Sequence, residues 1–258
     1  MYKGTHEGDI DEINFVARFN SDKRNFNNYL SRFEKYTNLW MVRVTTKQMS
    51  QLSGKKVFTR SDCYLASIDS DVSDLLEEHD YYLAEDILAE RRIKYTKIPY
   101  SGVSVKITTS KSFQILKIGP NSFNTLFDSY ELGAGASLFC MREIELEKNP
   151  DLIEGWKSSI DRMIAYFSIL TKGNKNFYLD QETCKKIKNY SCEEIKRQIE
   201  SSTDLQKKIF NGVGLYEEPY TAFYFYHGDN ISELTTIPFN VTTGSGRSKG
   251  DYTIVLKP

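Results

Sequence analysis

The chain opens on apolar positions at helical spacing. In residues 7–20, EGDIDEINFVARFN, the side chains of Ile10, Ile13, Val16, Ala17 and Phe19 share one stripe, with Asp9 near its start as an N-cap or first-turn acid and Glu12 at its border. The period then changes to two. NLWMVRVTT (38–46) sets Trp40, Val42 and Val44 against Met41 and Arg43, which predicts a strand. SDCYLASI (61–68), an apolar run entered through Asp62, predicts a central strand. GVSVKITT (102–109) places Val103, Val105 and Ile107 on one face and Ser104 and Lys106 on the other; SFQILKIG (112–119) follows after Thr109, Ser110 and Lys111, and the two read as a hairpin or adjacent strands.

Beyond Pro120 the spacing returns to helical. NSFNTLFDSYEL and NPDLIEGWKSSIDRMIAYFSILTKG (149–173) predict helices, the second bounded by Asn149 and Pro150 at its start and Gly173 at its end, and residues 181–211 predict two more. TAFYFYHG (221–228) and FNVTTGSGRSKGDYTIVLKP (239–258) predict strands, the last two flanking a glycine-rich loop. The class is α/β in the α+β sense: a mixed central β-sheet flanked by helices, a helical C-terminal half and a final β-hairpin. A core over 1–120 and a helical and hairpin region over 121–258 are expected to share one compact domain.

Composition narrows the function classes. Apolar residues make up 40% and charged ones 27% of 258, as in a soluble globule. No eighteen-residue apolar run and no signal-peptide pattern occurs, so a cytoplasmic protein with no membrane partner is expected. Cys63, Cys140, Cys184 and Cys192 form no CxxC pair, and His6, His79 and His227 are too scattered to complete a zinc set. The net charge of −1 conceals an asymmetry: residues 69–90 carry nine Asp or Glu and no Lys or Arg, leaving the other 236 residues at +8. The acidic stretch reads as a solvated helical insertion, and the remainder suits a polyanionic partner.

Three residues could carry chemistry together. Hydrolysis of a phosphodiester needs a hard divalent cation on oxygen ligands and a group that positions or activates water. Asp62 at the mouth of a buried strand, Lys106 on the next strand and Glu12 on a helix could converge to supply those parts. The order EINFVARF, then LSG…RSDCYLA, then SVKITTSKSFQ resembles the PD-(D/E)xK superfamily, in particular the small restriction endonucleases that cut short G/C-containing sites and the related mismatch-repair nicking enzyme. The resemblance covers about the first 120 residues. It implies a restriction-endonuclease-like core and a Mg²⁺ site made by Asp62, Glu12 and the main-chain carbonyl of Val105, with Lys106 orienting or deprotonating the water. One position departs from the pattern: where most of the superfamily has an acid two residues before the lysine, this chain has Ser104, which could act only as a weak ligand or through a water.

Nucleic-acid contacts have their own candidates. Lys106, Lys111 and Lys117 fall between Ser104 and Pro120 without an acid, with Gln114 among them. The loop TTGSGRSKGD offers Ser245, Arg247, Ser248 and Lys249 among three glycines, a composition suited to phosphates and to guanine edges. It is no P-loop, because Ser248 precedes Lys249 and no helix has room to follow, and GAGAS (133–137) lacks the dinucleotide register. No GxSxG elbow exists, and His227 reads as a packed or loop histidine. The expectation is therefore a type II site-specific deoxyribonuclease that makes Mg²⁺-dependent double-strand cuts in DNA and leaves 5′-phosphates. The resemblance implies a cognate DNA methyltransferase as genetic partner and a monomer or homodimer. A nicking or repair endonuclease of the same fold, or a non-catalytic DNA-binding defence protein, is the alternative.

Overall fold

The computed structural model describes residues 3–45, 48–49, 56–57, 60–106, 115–234, 238–243 and 254–257. In chain order the elements are α1 (Lys3–Ser21), α2 (Asn27–Leu30), β1 (Leu39–Arg43), β2 (Gln48–Met49), β3 (Lys56–Val57), β4 (Cys63–Ser67), α3 (Ser73–Glu78), α4 (Glu85–Glu90), β5 (Thr96–Lys97) and β6 (Val103–Val105). There follow β7 (Leu116–Ile118), α5 (Pro120–Phe127), α6 (Tyr130–Ser137), α7 (Glu143–Leu146), α8 (Asn149–Gly155), α9 (Ile160–Tyr166), α10 (Ser168–Thr171), α11 (Gln181–Ser201) and α12 (Thr203–Gln206). The chain closes with β8 (Tyr224–His227), β9 (Asn230–Glu233), β10 (Asn240–Thr243) and β11 (Ile254–Lys257). The class is mixed α and β, as the periodicity predicts. No described helix is long and apolar enough to cross a membrane.

Two compact units share these elements, one of Met1–Phe113 with Lys207–Ile237 and the other of Gln114–Gln206 with Pro238–Pro258. A boundary at residue 120 thus differs from the observed division, because residues 207–237 return to the first unit. Local periodicity carries no information about such a return.

The first unit is built on a mixed sheet in the order β1-β4-β6-β8-β9, with β5 also paired to β4. β4 runs antiparallel to both β1 and β6, whereas β6 and β8 are parallel, Val103 facing Tyr224. β4 is central, as its apolar run predicts. Its alternate residues are buried on both faces: Cys63 and Leu65 pack with Phe15, Val16 and Phe19 of α1, and Tyr64 and Ala66 with Leu75, Leu76 and Leu88 of the acidic helices. The stripe of α1 is displaced from its predicted position, since Ile10 is 44% exposed and Phe15 enters the core. Asp9 lies inside this helix, not at its start, because the first turn begins at Lys3.

Eight of the nine acids in 69–90 are exposed, as the solvated reading expects, and Glu85 is the exception. It is buried, and its Oε1 accepts the hydroxyls of Tyr64 and Tyr220, each at 2.8 Å, beside the Lys97 ammonium at 3.2 Å. A buried carboxylate persists only when so paired.

Gly102 sets where β6 enters the sheet. A Cβ there would lie 1.8 Å from the carbonyl oxygen of Thr221 and 2.9 Å from that of Pro219, both main-chain atoms that cannot rotate away. Gly102→Ala is therefore expected to destabilise the protein by about 1–3 kcal/mol, as overpacking does. A denaturant midpoint unchanged from that of the parent would refute this.

The predicted pairing of the 102–109 and 112–119 runs does not occur among the described residues. β6 lies in the first unit's sheet, while β7 belongs to the second unit and pairs with β11, Lys117 facing Val255. Both segments satisfy strand spacing, but β6 pairs with β4 earlier in the chain and with β8 more than a hundred residues later, and β7 pairs with β11, also more than a hundred residues later. The C-terminal hairpin is present as β10 and β11, antiparallel with Thr243 opposite Ile254.

In the second unit the single helix predicted for 149–173 is three. Lys157 adopts φ 59°, and the Ser159 hydroxyl then caps α9 by accepting the Arg162 N–H at 3.3 Å. Trp156, Met163 and Phe167 are nonetheless all buried, so the apolar spacing holds while the helix breaks. The GAGAS run lies in α6, where Gly133 abuts the Trp156 ring and Gly135 abuts Phe167 and Ser191. Those glycines serve close packing. All four cysteines are free thiols, Cys63 and Cys184 being buried.

Candidate active site

Asp62 is fixed by three strands of the first unit. Its N–H donates to the Val103 carbonyl at 2.9 Å, and its carbonyl accepts the Val44 N–H at 2.9 Å. Immediately before it, the N–H groups of Arg60 and Ser61 both turn to the Tyr220 carbonyl, each at 3.1 Å. β4 therefore leaves β6 at this residue, and the space opposite Val105 is taken by the Asp62 side chain. Asp62 Oδ2 accepts the Val105 N–H at 2.6 Å and the Ser104 hydroxyl at 3.1 Å. Oδ1 has no hydrogen bond among the described residues.

Ser104 is thus a donor to the carboxylate, buried at 2% exposure, and it fixes the rotamer of Asp62. Backbone groups of one strand residue point to the same side. Since the Val105 N–H reaches Asp62 while the Lys106 N–H reaches Tyr226 on the opposite side at 2.9 Å, the Val105 carbonyl faces the Asp62 side.

Glu12 comes from α1. Its Oε2 accepts Arg43 Nε at 2.7 Å, and its Oε1 is unoccupied by any hydrogen bond among the described residues. Burial, then the negative charge of Asp62, pushes its carboxyl up to about 7 against the opposing pull of Arg43. Lys106 follows β6 directly. Burial lowers its pKa and nearby Arg60 lowers it further, while Asp62 and Glu12 oppose the shift. Its ammonium makes no hydrogen bond or ion pair among the described residues. Glu12, Asp62 and Lys106, separated by 50 and 44 positions, are accordingly within electrostatic reach of one another.

Glu12 and Asp62 each keep one carboxylate oxygen out of hydrogen bonds among the described residues, and the Val105 carbonyl faces the Asp62 side; these are the oxygen donors that could hold a hard divalent cation. Such a cation would offset both the burial and the repulsion from Asp62 that together raise Glu12. No set of three or more His, Cys, Asp or Glu suited to a metal occurs among the described residues, so the carbonyl is needed to complete the donor set.

Lys117 is exposed on β7, in the second unit. Lys111, Gln114, Ser245, Arg247, Ser248 and Lys249 lie outside the described residues. Two cations of the site escaped the sequence reading: Arg43, whose position on a strand was legible but whose partner on α1 was not, and Arg60, whose Nε donates to the Phe210 carbonyl at 2.7 Å. Comparison with protein-family models, with curated proteins and with solved structures finds no match.

Proposed function

We propose that the protein is a Mg²⁺-dependent DNA endonuclease of the restriction type, with Glu12, Asp62 and Lys106 at its site. The observation that carries the reading is the convergence of two half-engaged carboxylates and one half-buried ammonium, unpaired among the described residues, from three separate elements. Groups perturbed by burial together with specific charged neighbours are candidates for sites of chemistry. Asp62 and Glu12 offer Oδ1 and Oε1 to the cation, and the Val105 carbonyl supplies a third oxygen. The cation would polarise the scissile phosphate. Lys106 orients the attacking water and stabilises charge developing on the phosphate oxygens. Water adds to phosphorus in line with the departing 3′ oxygen, that P–O bond breaks, and the products carry a 5′-phosphate and a 3′-hydroxyl.

Ser104 favours a second reading, in which the chain binds DNA without cutting it, because a hydroxyl that donates to Asp62 adds no charge to the site. Incubating supercoiled plasmid and a long mapped DNA with the protein and Mg²⁺ separates the possibilities. Discrete fragments, abolished by EDTA, are expected. Open circles alone would indicate nicking. DNA left intact in both Mg²⁺ and Mn²⁺ would sink the endonuclease reading.

A further inference from the structure

We propose that Arg43 is a positioning residue for Glu12: its guanidinium bridges Asp9 and Glu12, fixing one oxygen of Glu12 and leaving the other for the divalent cation. This inference rests on the endonuclease reading of the site.

Arg43 Nε meets Glu12 Oε2 at 2.7 Å and Nη2 meets Asp9 Oδ1 at 2.7 Å. The two acids are three residues apart on α1 and so lie on one face of the helix. Arg43 closes β1 directly opposite Cys63, and the next residue, Val44, donates its N–H to the Asp62 carbonyl. The Arg43 N–H is held in turn by the Leu83 carbonyl at 2.9 Å. The guanidinium therefore ties the helix that carries Glu12 to the strand pair that carries Asp62, from a side chain only 17% exposed.

The geometry needs arginine. A planar fork can engage two carboxylates along fixed directions, whereas an ammonium on a flexible stem is a point charge. Without the fork, Glu12 faces the negative charge of Asp62 with nothing to hold it near. Its side chain is then free to turn to solvent. Outer partners that orient metal ligands typically carry a 10–100-fold effect on metal affinity.

A plain charge effect has the opposite sign. Removing a positive group beside a cation site strengthens cation binding if that group is only a counter-charge. The direction of change therefore separates the two roles.

The experiment is a titration of the full-length protein with Mn²⁺ alone, read by electron paramagnetic resonance of the free ion, for the parent, Asp62→Asn, Arg43→Gln and Arg43→Lys. Arg43→Gln is expected to bind Mn²⁺ about 10–100-fold more weakly, with Arg43→Lys recovering part of the loss. Binding by Arg43→Gln that equals or exceeds the parent's would overturn the inference. Should Arg43→Gln fail to fold by circular dichroism, Arg43→Lys decides, since it keeps the positive charge and loses only the planar fork that engages Glu12 and Asp9. Mn²⁺ binding by Arg43→Lys weaker than the parent's supports the inference, and unchanged binding overturns it. If the parent binds no Mn²⁺, or binds it equally after Asp62→Asn, the endonuclease reading fails at its root, a result distinct from failure of the Arg43 role alone.

Discussion

Asp62→Asn and Lys106→Met are each expected to reduce Mg²⁺-dependent DNA cleavage by about 10²–10³-fold or more, the scale on which a pre-organised electrostatic group contributes to phosphoryl or acyl chemistry. Asparagine keeps an oxygen for the Val105 N–H and the Ser104 hydroxyl, so the strand ends stay in register while the charge that would hold the cation is gone. DNA binding should survive in this variant. Lys106→Met makes a sharper distinction between a functional and a structural residue. The ammonium is disfavoured by its burial and makes no compensating contact among the described residues, so charging it costs folding free energy at neutral pH. Sign and direction agree: the folded state depresses the lysine pKa, which penalises the native state at any pH below that depressed value. Methionine of similar length removes the penalty. Its melting temperature should equal or exceed the parent's although cleavage is lost, the trade expected where a strained group is kept for activity. Single-turnover cleavage and thermal unfolding on the same preparations check both halves. Retained cleavage in both variants would place the site elsewhere, and a large destabilisation of Lys106→Met would make the lysine structural.

Much of the first unit is legible in local pattern. The alternation of 38–46 puts Met41 with the α1 face and Val42 with the acidic-helix face, and the unbroken apolar run of 63–66 demands the central place that β4 occupies. The order Glu12, Asp62, Lys106 is also visible, although nothing local says that these residues meet. What periodicity leaves out is partner choice. β6 and β7 both read as strands, and only the tertiary structure assigns the first to β4 and β8 and the second to β11. Glu85 looks like one more solvated acid until Tyr64 and Tyr220 are seen to donate to it from elsewhere in the chain. Lys157 looks like an ordinary helix-surface lysine, and its left-handed backbone has no compositional signature. Arg43 is the most telling omission, since its role exists only once α1 is laid against the end of β1.

That same contact makes Glu12 the group through which pH should act on the protein. Its carboxyl is pushed up to about 7 from an ordinary 4.5, first by burial and next by Asp62. The native state therefore holds a proton more tightly than the unfolded chain does. The associated stability is fully present below pH 4.5, declines as pH rises from 4.5 to 7, and is gone above 7. The shift corresponds to about 3 kcal/mol, and the Glu12 side chain is only 22% exposed, which limits solvent screening. Glu12→Gln mimics the protonated acid at every pH. It should match the parent near pH 5 and exceed it by about 3 kcal/mol at pH 8 in EDTA, as read from urea midpoints at the two pH values. Mg²⁺ should narrow the gap at pH 8 by stabilising the parent, because a ligand that binds only the native state adds its binding free energy to folding, and it should leave the variant nearly unchanged. At sub-saturating Mg²⁺ cleavage should follow the ionised form and fall as pH drops below 7, the fall moving to lower pH as Mg²⁺ is raised, because cation and proton compete for the same carboxylate. A parent whose stability does not decline relative to Glu12→Gln between pH 5 and 8 would show that Glu12 ionises freely, and the tight juxtaposition of Glu12 with Asp62 would have to be abandoned.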